Sequence, residues 1–197
     1  MKNLVLSIIV TLIVCACTGE QIPDYQAAID SCKESVGAVS GLLVVSSRDC
    51  LVGYRLPDFE AETSEGKKLS TQSLMGKPTV INFWFVGCKP CEVEVPGFQQ
   101  LSQQFGDDAN FVAIGKNSPA YLRAFLAENP WDFTHINDPE KTLIDGKFQY
   151  MWGYPTTLIC DQNARIIKTI SSGRTDSTAV SRIINEVKPV LDSLLRL

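Results

Sequence analysis

Apolar positions run along the chain in short, mostly unbroken blocks separated by polar turns, and the length and spacing of each block decide what it predicts. Thr79 to Phe85 reads Thr-Val-Ile-Asn-Phe-Trp-Phe, a β-branched and aromatic run with little alternation, as a strand covered on both faces requires. Asn110 to Gly115 is a second such block and Phe133 to Ile136 a third. Thr156 to Cys160 and Arg165 to Ile170 predict two more strands, joined by the turn residues Asp161-Gln162-Asn163. Between these blocks the spacing becomes helical. Helices are expected from about Cys88 to Phe105, over Ser118 to Glu128 behind Ser118-Pro119, and in part over Pro139 to Tyr150. A last helix starts near Thr175, with Val180, Ile183, Ile184, Val187, Leu191 and Leu194 on one face, and Pro189 is expected to kink or interrupt it. Pro57 to Glu62 predicts an extended piece before a turn at Ser64-Glu65-Gly66. Strand–helix alternation closed by a hairpin and a helix predicts an α/β sandwich built on a mixed β-sheet.

The N-terminus follows a different pattern. Lys2 precedes an apolar run from Leu4 to Val14. At about a dozen residues the run is too short to cross a bilayer, which takes roughly 20, and it fits an export signal. Val14-Cys15-Ala16-Cys17 resembles a bacterial lipobox, in which a small residue precedes the cysteine that is lipidated and becomes the new N-terminus. Residues 1–16 are therefore expected to be a lipoprotein signal peptide and Cys17 the lipidation site, with an ordinary cleaved secretory signal as the alternative. Residues 17–53 are expected to form an N-terminal segment holding a helix (Tyr25 to Val36) and a strand (Gly41 to Ser46), and residues 54–197 the main domain.

Composition narrows the function. The chain has 197 residues, 45 % of them apolar, which suits one packed domain plus a short extra segment. The formal charge is -4 with both signs mixed along the chain, and the absence of a basic stripe argues against nucleic acid as a partner. The single histidine, His135, removes most His-based metal sites. Seven cysteines are heavy usage for a reducing compartment but not for an oxidising envelope. With Cys17 acylated, Cys32, Cys50, Cys88, Cys91 and Cys160 remain, an odd set, so at least one stays unpaired. Cys32 and Cys50 flank the Gly41–Ser46 block. A bridge there would stabilise by roughly 3 kcal/mol on the chain-entropy estimate; two free thiols are the other reading. Cys160, inside an apolar strand, is expected to be a buried inert thiol.

Cys88-Lys89-Pro90-Cys91 carries the chemistry. It follows a buried strand and opens a helix, so Cys88 is expected among unpaired backbone N–H groups at the positive end of the helix dipole, where its pKa falls. Lys89 adds a neighbouring cation. Two intervening residues put Cys91 one turn on, able to attack a mixed disulfide formed at Cys88. Pro90 suits a first helical turn, where its missing N–H costs nothing. Half of a structural zinc site is the competing reading, but Cys32, Cys50 and Cys160 are scattered singly and supply no second pair. A static structural disulfide is another.

Asn82-Phe83-Trp84 before the cysteines, the Cys-x-x-Cys pair, Pro96 after it, and Gly153-Tyr154-Pro155-Thr156-Thr157 before a strand together resemble the thioredoxin superfamily. Pro57-Asp58-Phe59, Glu94-Val95-Pro96 and the insert before Tyr154 resemble its membrane-linked TlpA-like and ResA-like branch, and the match covers roughly residues 54–197. The resemblance implies a thioredoxin-like three-layer sandwich with a mixed β-sheet and helices on both faces. It implies that Pro155 is a cis-proline facing the cysteines and that Tyr154 presents backbone groups to an extended substrate. Gly87 and Trp84 are further candidates for the substrate-binding mouth, and packing in the core or at the rim is the other reading of Trp84, as of Trp152. Gly87 stands where many relatives have tryptophan, which leaves the mouth more open and is expected to leave it more mobile. Asn82 stands where cytoplasmic thioredoxins carry a buried aspartate, and Glu94 matches a glutamate that would act as base toward Cys91; a solvated surface glutamate is the alternative.

The expected function is that of an envelope-anchored thiol:disulfide oxidoreductase, a reductase or isomerase, using Cys88 and Cys91 without a cofactor or metal. Its expected partners are exported protein thiols and disulfides, apocytochrome c among the candidates, and a membrane electron donor that recycles the pair. It is expected lipid-anchored in the bacterial cell envelope, facing the periplasm. A thiol peroxidase is the first alternative, although Phe85 and Ile81 occupy positions where that chemistry wants Thr or Ser and a proline. A copper-binding or non-catalytic thioredoxin-fold module is the second, although copper proteins of this branch want three residues between the cysteines.

Overall fold

The computed structural model describes residues 21–34, 36–39, 42–45, 48–171 and 173–196, with the backbone alone described at residues 34, 36–39 and 42–45. The signal peptide over residues 1–16 and the lipidation site Cys17 lie outside the described residues. The described residues open with helix α1 (Tyr25–Glu34), antiparallel strands β1 (Val36–Val39) and β2 (Leu42–Val45), and a 3-10 turn at Arg48–Leu51. A second hairpin pairs β3 (Glu60–Glu62) with β4 (Lys68–Ser70), followed by the short α2 (Thr71–Leu74). Then come β5 (Thr79–Trp84), α3 (Lys89–Glu92), α4 (Val95–Phe105), β6 (Asn110–Gly115), α5 (Pro119–Glu128) and β7 (Thr134–Asn137). One wide π-type turn (Thr142–Lys147), β8 (Thr156–Cys160), β9 (Ile166–Ser171) and α6 (Ala179–Leu194) complete the chain.

Five strands form one mixed sheet in the order β7-β6-β5-β8-β9. β5 is central because every one of its residues is buried. It runs parallel to β6 and antiparallel to β8. Alternate side chains of β5 serve two cores. Ile81 and Phe83 pack toward Phe59, Ile144, Phe148 and α1, whereas Val80 and Trp84 pack toward α4, α5 and α6. Helical elements therefore cover both faces, giving the three layers expected. The β8–β9 turn closes through Asp161, whose carboxylate accepts from the N–H groups of Asn163 (2.8 Å) and Arg165 (3.0 Å).

The structure departs from the sequence pattern in four places. The helix expected from Cys88 to Phe105 is two helices, with Val93 and Glu94 between α3 and α4. α6 begins at Ala179 and continues without interruption past Pro189, whose exposed position lets the buried Ile183, Val187 and Leu191 hold the helix on the core. The strand expected near Gly41 has a partner, β1, which the pattern assigned to the preceding helix and its flank. Finally, the N-terminal segment shares the main core: Tyr25, Ala28, Ile29 and Cys32 are buried with Phe59 and Phe148. A disulfide joins Cys32 to Cys50, with Cα atoms 5.2 Å apart.

Candidate active site

Phe83 pairs with Thr156 in the sheet register, so the loop leaving β5 and the loop entering β8 emerge at the same end of the sheet. The first loop, Phe85-Val86-Gly87, is fixed at three points. Asn117 Oδ1 accepts the Val86 N–H at 2.7 Å, Glu92 Oε1 accepts the Gly87 N–H at 2.8 Å, and the Cys88 N–H bonds to the Phe85 carbonyl at 3.1 Å. Gly87 has φ +95°, a conformation open to glycine and costly for other residues. That requirement explains a glycine next to the cysteines.

Cys88 stands at the N-cap of α3, where its backbone carbonyl accepts from the N–H groups of Cys91 (2.9 Å) and Glu92 (3.0 Å) and its side chain makes no capping bond. The two sulfurs are joined in a disulfide with Cα atoms 5.3 Å apart. α3 is a single turn and its Cys91 and Glu92 N–H groups bond to the Cys88 carbonyl, so the unpaired donors and long dipole expected behind the Cys88 sulfur are reduced to a one-turn helix start. In this oxidised state Cys88 keeps 5 % exposure and Cys91 2 %, so both residues are largely covered. Lys89 is exposed beside them.

Glu94 lies in the break between the two helices and is 1 % exposed, not a solvated surface residue. Its carbonyl starts α4 by accepting from Gly97 and Phe98 (2.9 and 3.1 Å), while Oε2 is buried with no hydrogen-bond partner. Burial pushes its carboxyl up to about 8, opposed by Arg182 and reinforced by Glu186. A carboxyl in that range can release and take up a proton near neutral pH, as a base in thiol exchange must.

The second loop carries the cis peptide bond Tyr154–Pro155. Pro155 is buried and Tyr154 half-buried. The Tyr154 ring meets Phe85 edge-on at 5.2 Å and lies against Tyr150 at 5.0 Å. Lys116 Nζ stands 4.0 Å from the Phe85 ring centre and 5.1 Å from that of Tyr154, capping the aromatic pair. Trp84, expected in the substrate-binding mouth, is instead 1 % exposed. It packs among Phe125, Trp131 and His135, because β5 alternation turns it inward beneath α4 and α5.

Asn82 is buried and donates to Thr157 Oγ1 at 3.0 Å, which occupies its amide in holding β5 to β8. Cys160 is a buried free thiol whose pKa is raised by burial, as an inert core residue should be. Among the described residues no group of three or more His, Cys, Asp or Glu side chains gathers where a metal would sit. Phe85, Lys116, Asn117 and Tyr150 were not singled out from the sequence. The sequence carried no signal for Asn117, because its bond to Val86 spans 31 residues.

A family model described as AhpC/TSA family matches residues 52–169. The chain is 34 % identical over 125 residues to the thioredoxin-like protein YneN of Bacillus subtilis, covering 61 % of this chain and 71 % of that one. It is 25 % identical over 140 residues to the thiol-disulfide oxidoreductase ResA of the same organism, covering 70 % and 76 %. Among solved structures, a DsbF homologue from Corynebacterium diphtheriae superposes with TM-score 0.59 at 22 % identity, over 72 % of this chain and 87 % of that one. A thioredoxin family thiol:disulfide interchange protein from Chlorobium tepidum does so with TM-score 0.55 at 22 % identity, over 72 % and 95 %. These two likenesses establish a thioredoxin-like fold.

Proposed function

The chain belongs to the AhpC/TSA family as a ResA-like protein-disulfide oxidoreductase of the thioredoxin superfamily, and from that premise we propose that it works in the cell envelope, reducing or isomerising disulfides of exported proteins through Cys88 and Cys91. The observation that carries this proposal is the Cys88–Cys91 disulfide at the end of β5, beside the loop of Tyr154 and Pro155. In the reductive direction the Cys88 thiolate attacks one sulfur of a substrate disulfide. A mixed disulfide forms and a substrate thiolate leaves. Cys91, with Glu94 taking its proton, then attacks the Cys88 sulfur, closing the 88–91 disulfide and releasing the second substrate thiolate. An extended substrate aligns along the backbone of Tyr154 while its disulfide meets Cys88. A membrane electron donor returns the pair to the dithiol, and apocytochrome c is one candidate substrate.

Anchoring rests on the leader: Lys2, the apolar run and Ala16-Cys17. No helix among the described residues is long and apolar enough to cross a membrane, so a lipid on Cys17 would supply the attachment. Replacing Cys17 with serine should release the protein from membranes and abolish incorporation of labelled fatty acid.

The deciding experiment reduces the protein, then offers it insulin, hydrogen peroxide or Cu(I) in parallel. Rapid oxidation by insulin that is lost in Cys88→Ser supports the proposed activity. Faster turnover with peroxide would move the protein to thiol peroxidase chemistry, and tight Cu(I) capture without exchange would make it a metal-binding module. A 88–91 reduction potential well below about -200 mV would mark a reductase, and one near about -120 mV a strong oxidant.

A further inference from the structure

The substrate-facing loop is held from outside the main domain by the N-terminal elements. The Tyr25 hydroxyl of α1 donates to the Phe148 carbonyl at 3.1 Å, and the two rings meet edge-on at 5.8 Å. Gln149 Nε2 donates to Gln26 Oε1 at 2.7 Å, and Lys33 Nζ to Gln149 Oε1 at 3.5 Å. At the other end of the loop, Arg48 Nη2 donates to the Gly153 carbonyl at 3.4 Å, where the Tyr150 hydroxyl (2.7 Å) and Thr156 Oγ1 (2.8 Å) also converge. Tyr154 is the next residue. Arg48 is itself anchored, because the neighbouring Asp49 accepts from Thr169 of β9 at 3.0 Å.

The two grips share one fastening. α1 holds residues 148 and 149, the Arg48–Leu51 turn holds residue 153, and the Cys32–Cys50 disulfide ties α1 to that turn. Cys32 is fully buried on the α1 face that contacts the core. A loop that presents its backbone to a substrate needs a defined conformation, since disorder there is an ordering cost at every binding event.

We propose that α1 and the Arg48–Leu51 turn, joined by Cys32–Cys50, form a clamp that positions the 148–154 loop for protein substrates, with Arg48 as a positioning residue for exchange at Cys88. This rests on the proposed exchange with protein disulfides. The clamp acts on alignment alone: it touches neither sulfur of the 88–91 pair, so reagents too small to use the Tyr154 backbone are indifferent to it.

The test compares insulin with dithiothreitol on wild type, Arg48→Ala, Arg48→Lys, Tyr25→Phe and the double variant Cys32→Ala/Cys50→Ala. In Arg48→Ala and the double variant, KM for insulin should rise about three- to tenfold, the size of effect expected for a residue acting at a distance through a packed element. kcat and the rate at which dithiothreitol reduces the 88–91 disulfide should stay unchanged. Arg48→Lys should recover most of the loss. Tyr25→Phe keeps the ring and removes one hydroxyl, so it should fold and still raise KM if the double variant does not fold. An unchanged KM in folded Arg48→Ala and Tyr25→Phe would overturn the clamp, as would equal losses toward dithiothreitol. Wild type that ignores insulin altogether would overturn the proposed function, and the clamp with it.

Discussion

Phe85 and Tyr154 meet edge to face at 5.2 Å, and this one contact joins the loop that carries the cysteines to the loop that precedes β8. Lys116 stands over both rings. An edge-to-face pair contributes roughly 0.5–1.5 kcal/mol beyond its buried area, and a cation over a ring about 0.5–1 kcal/mol when exposed. Phe85→Ala should therefore lower stability by about 1–2 kcal/mol and raise KM for insulin by loosening the two loops relative to each other. Lys116→Gln should have the smaller effect on both, read by urea unfolding and steady-state kinetics. Equal or reversed effects would mean that the ring contact does not hold the loops together.

Cys88 and Cys91 should play unequal roles. Cys88 caps α3 and is the less covered of the two, whereas Cys91 lies a turn inside. Alkylation of the reduced protein at mildly acidic pH should modify Cys88 first. Cys91→Ser should accumulate covalent complexes with envelope proteins, and Cys88→Ser none. Trapping through Cys91 instead would reverse the assignment.

Glu94 should make stability fall with rising pH. Its folded value of about 8 lies above the ordinary 4.5, so the native state binds a proton that the unfolded chain loses first. The stabilisation is complete below the ordinary value and disappears as pH climbs toward 8. Glu94→Gln should flatten this slope and stabilise the protein at pH 8.5 by roughly 2–4 kcal/mol relative to wild type. The same variant should slow release of trapped substrate by Cys91, because the amide cannot take its proton. Urea midpoints at pH 5 and 8.5 check the first expectation, and a pH profile of mixed-disulfide resolution the second. Parallel curves for wild type and variant would remove Glu94 from both roles.

Gly97 should not tolerate a side chain. A Cβ there would sit 2.4 Å from Ile183 Cγ2 and 3.1 Å from the Val180 carbonyl oxygen, where α4 crosses α6. Gly97→Ala should destabilise by about 1–3 kcal/mol, the range for overpacking, without changing dithiothreitol reduction of the 88–91 pair. A wild-type urea midpoint would show that α6 moves aside freely.

Much of this arrangement is legible in the sequence, and the reason is local. A β-branched and aromatic run with little alternation suits burial on both faces, so Thr79–Phe85 is readable as a fully buried strand, though not its central place in the sheet. The Cys-x-x-Cys spacing likewise announces itself, because a one-turn sulfur separation demands two intervening residues, whereas the left-handed conformation of Gly87 carried no such signal. The break between α3 and α4 was less visible. Pro96 marks a helix start as readily as a helix interior, and only the packing of Glu94 beneath the site decides which.

What tertiary structure alone decided concerns contacts between distant segments. Helical and strand periods report which residues face inward, but not what waits there, so Trp84 could be read as mouth or as core until α4 and α5 closed over it. Phe85 with Tyr154 and Arg48 with Gly153 are separated by 69 and 105 residues, and no local pattern encodes such pairings. The Cys32–Cys50 bridge, across 18 residues, was one of two readings of the sequence, and only the fold chose between them. The register of β5 with β8 brings Phe85 to Tyr154, and the burial of Tyr25, Ala28 and Ile29 against Phe59 and Phe148 brings the N-terminal helix onto the loop that leads into Tyr154.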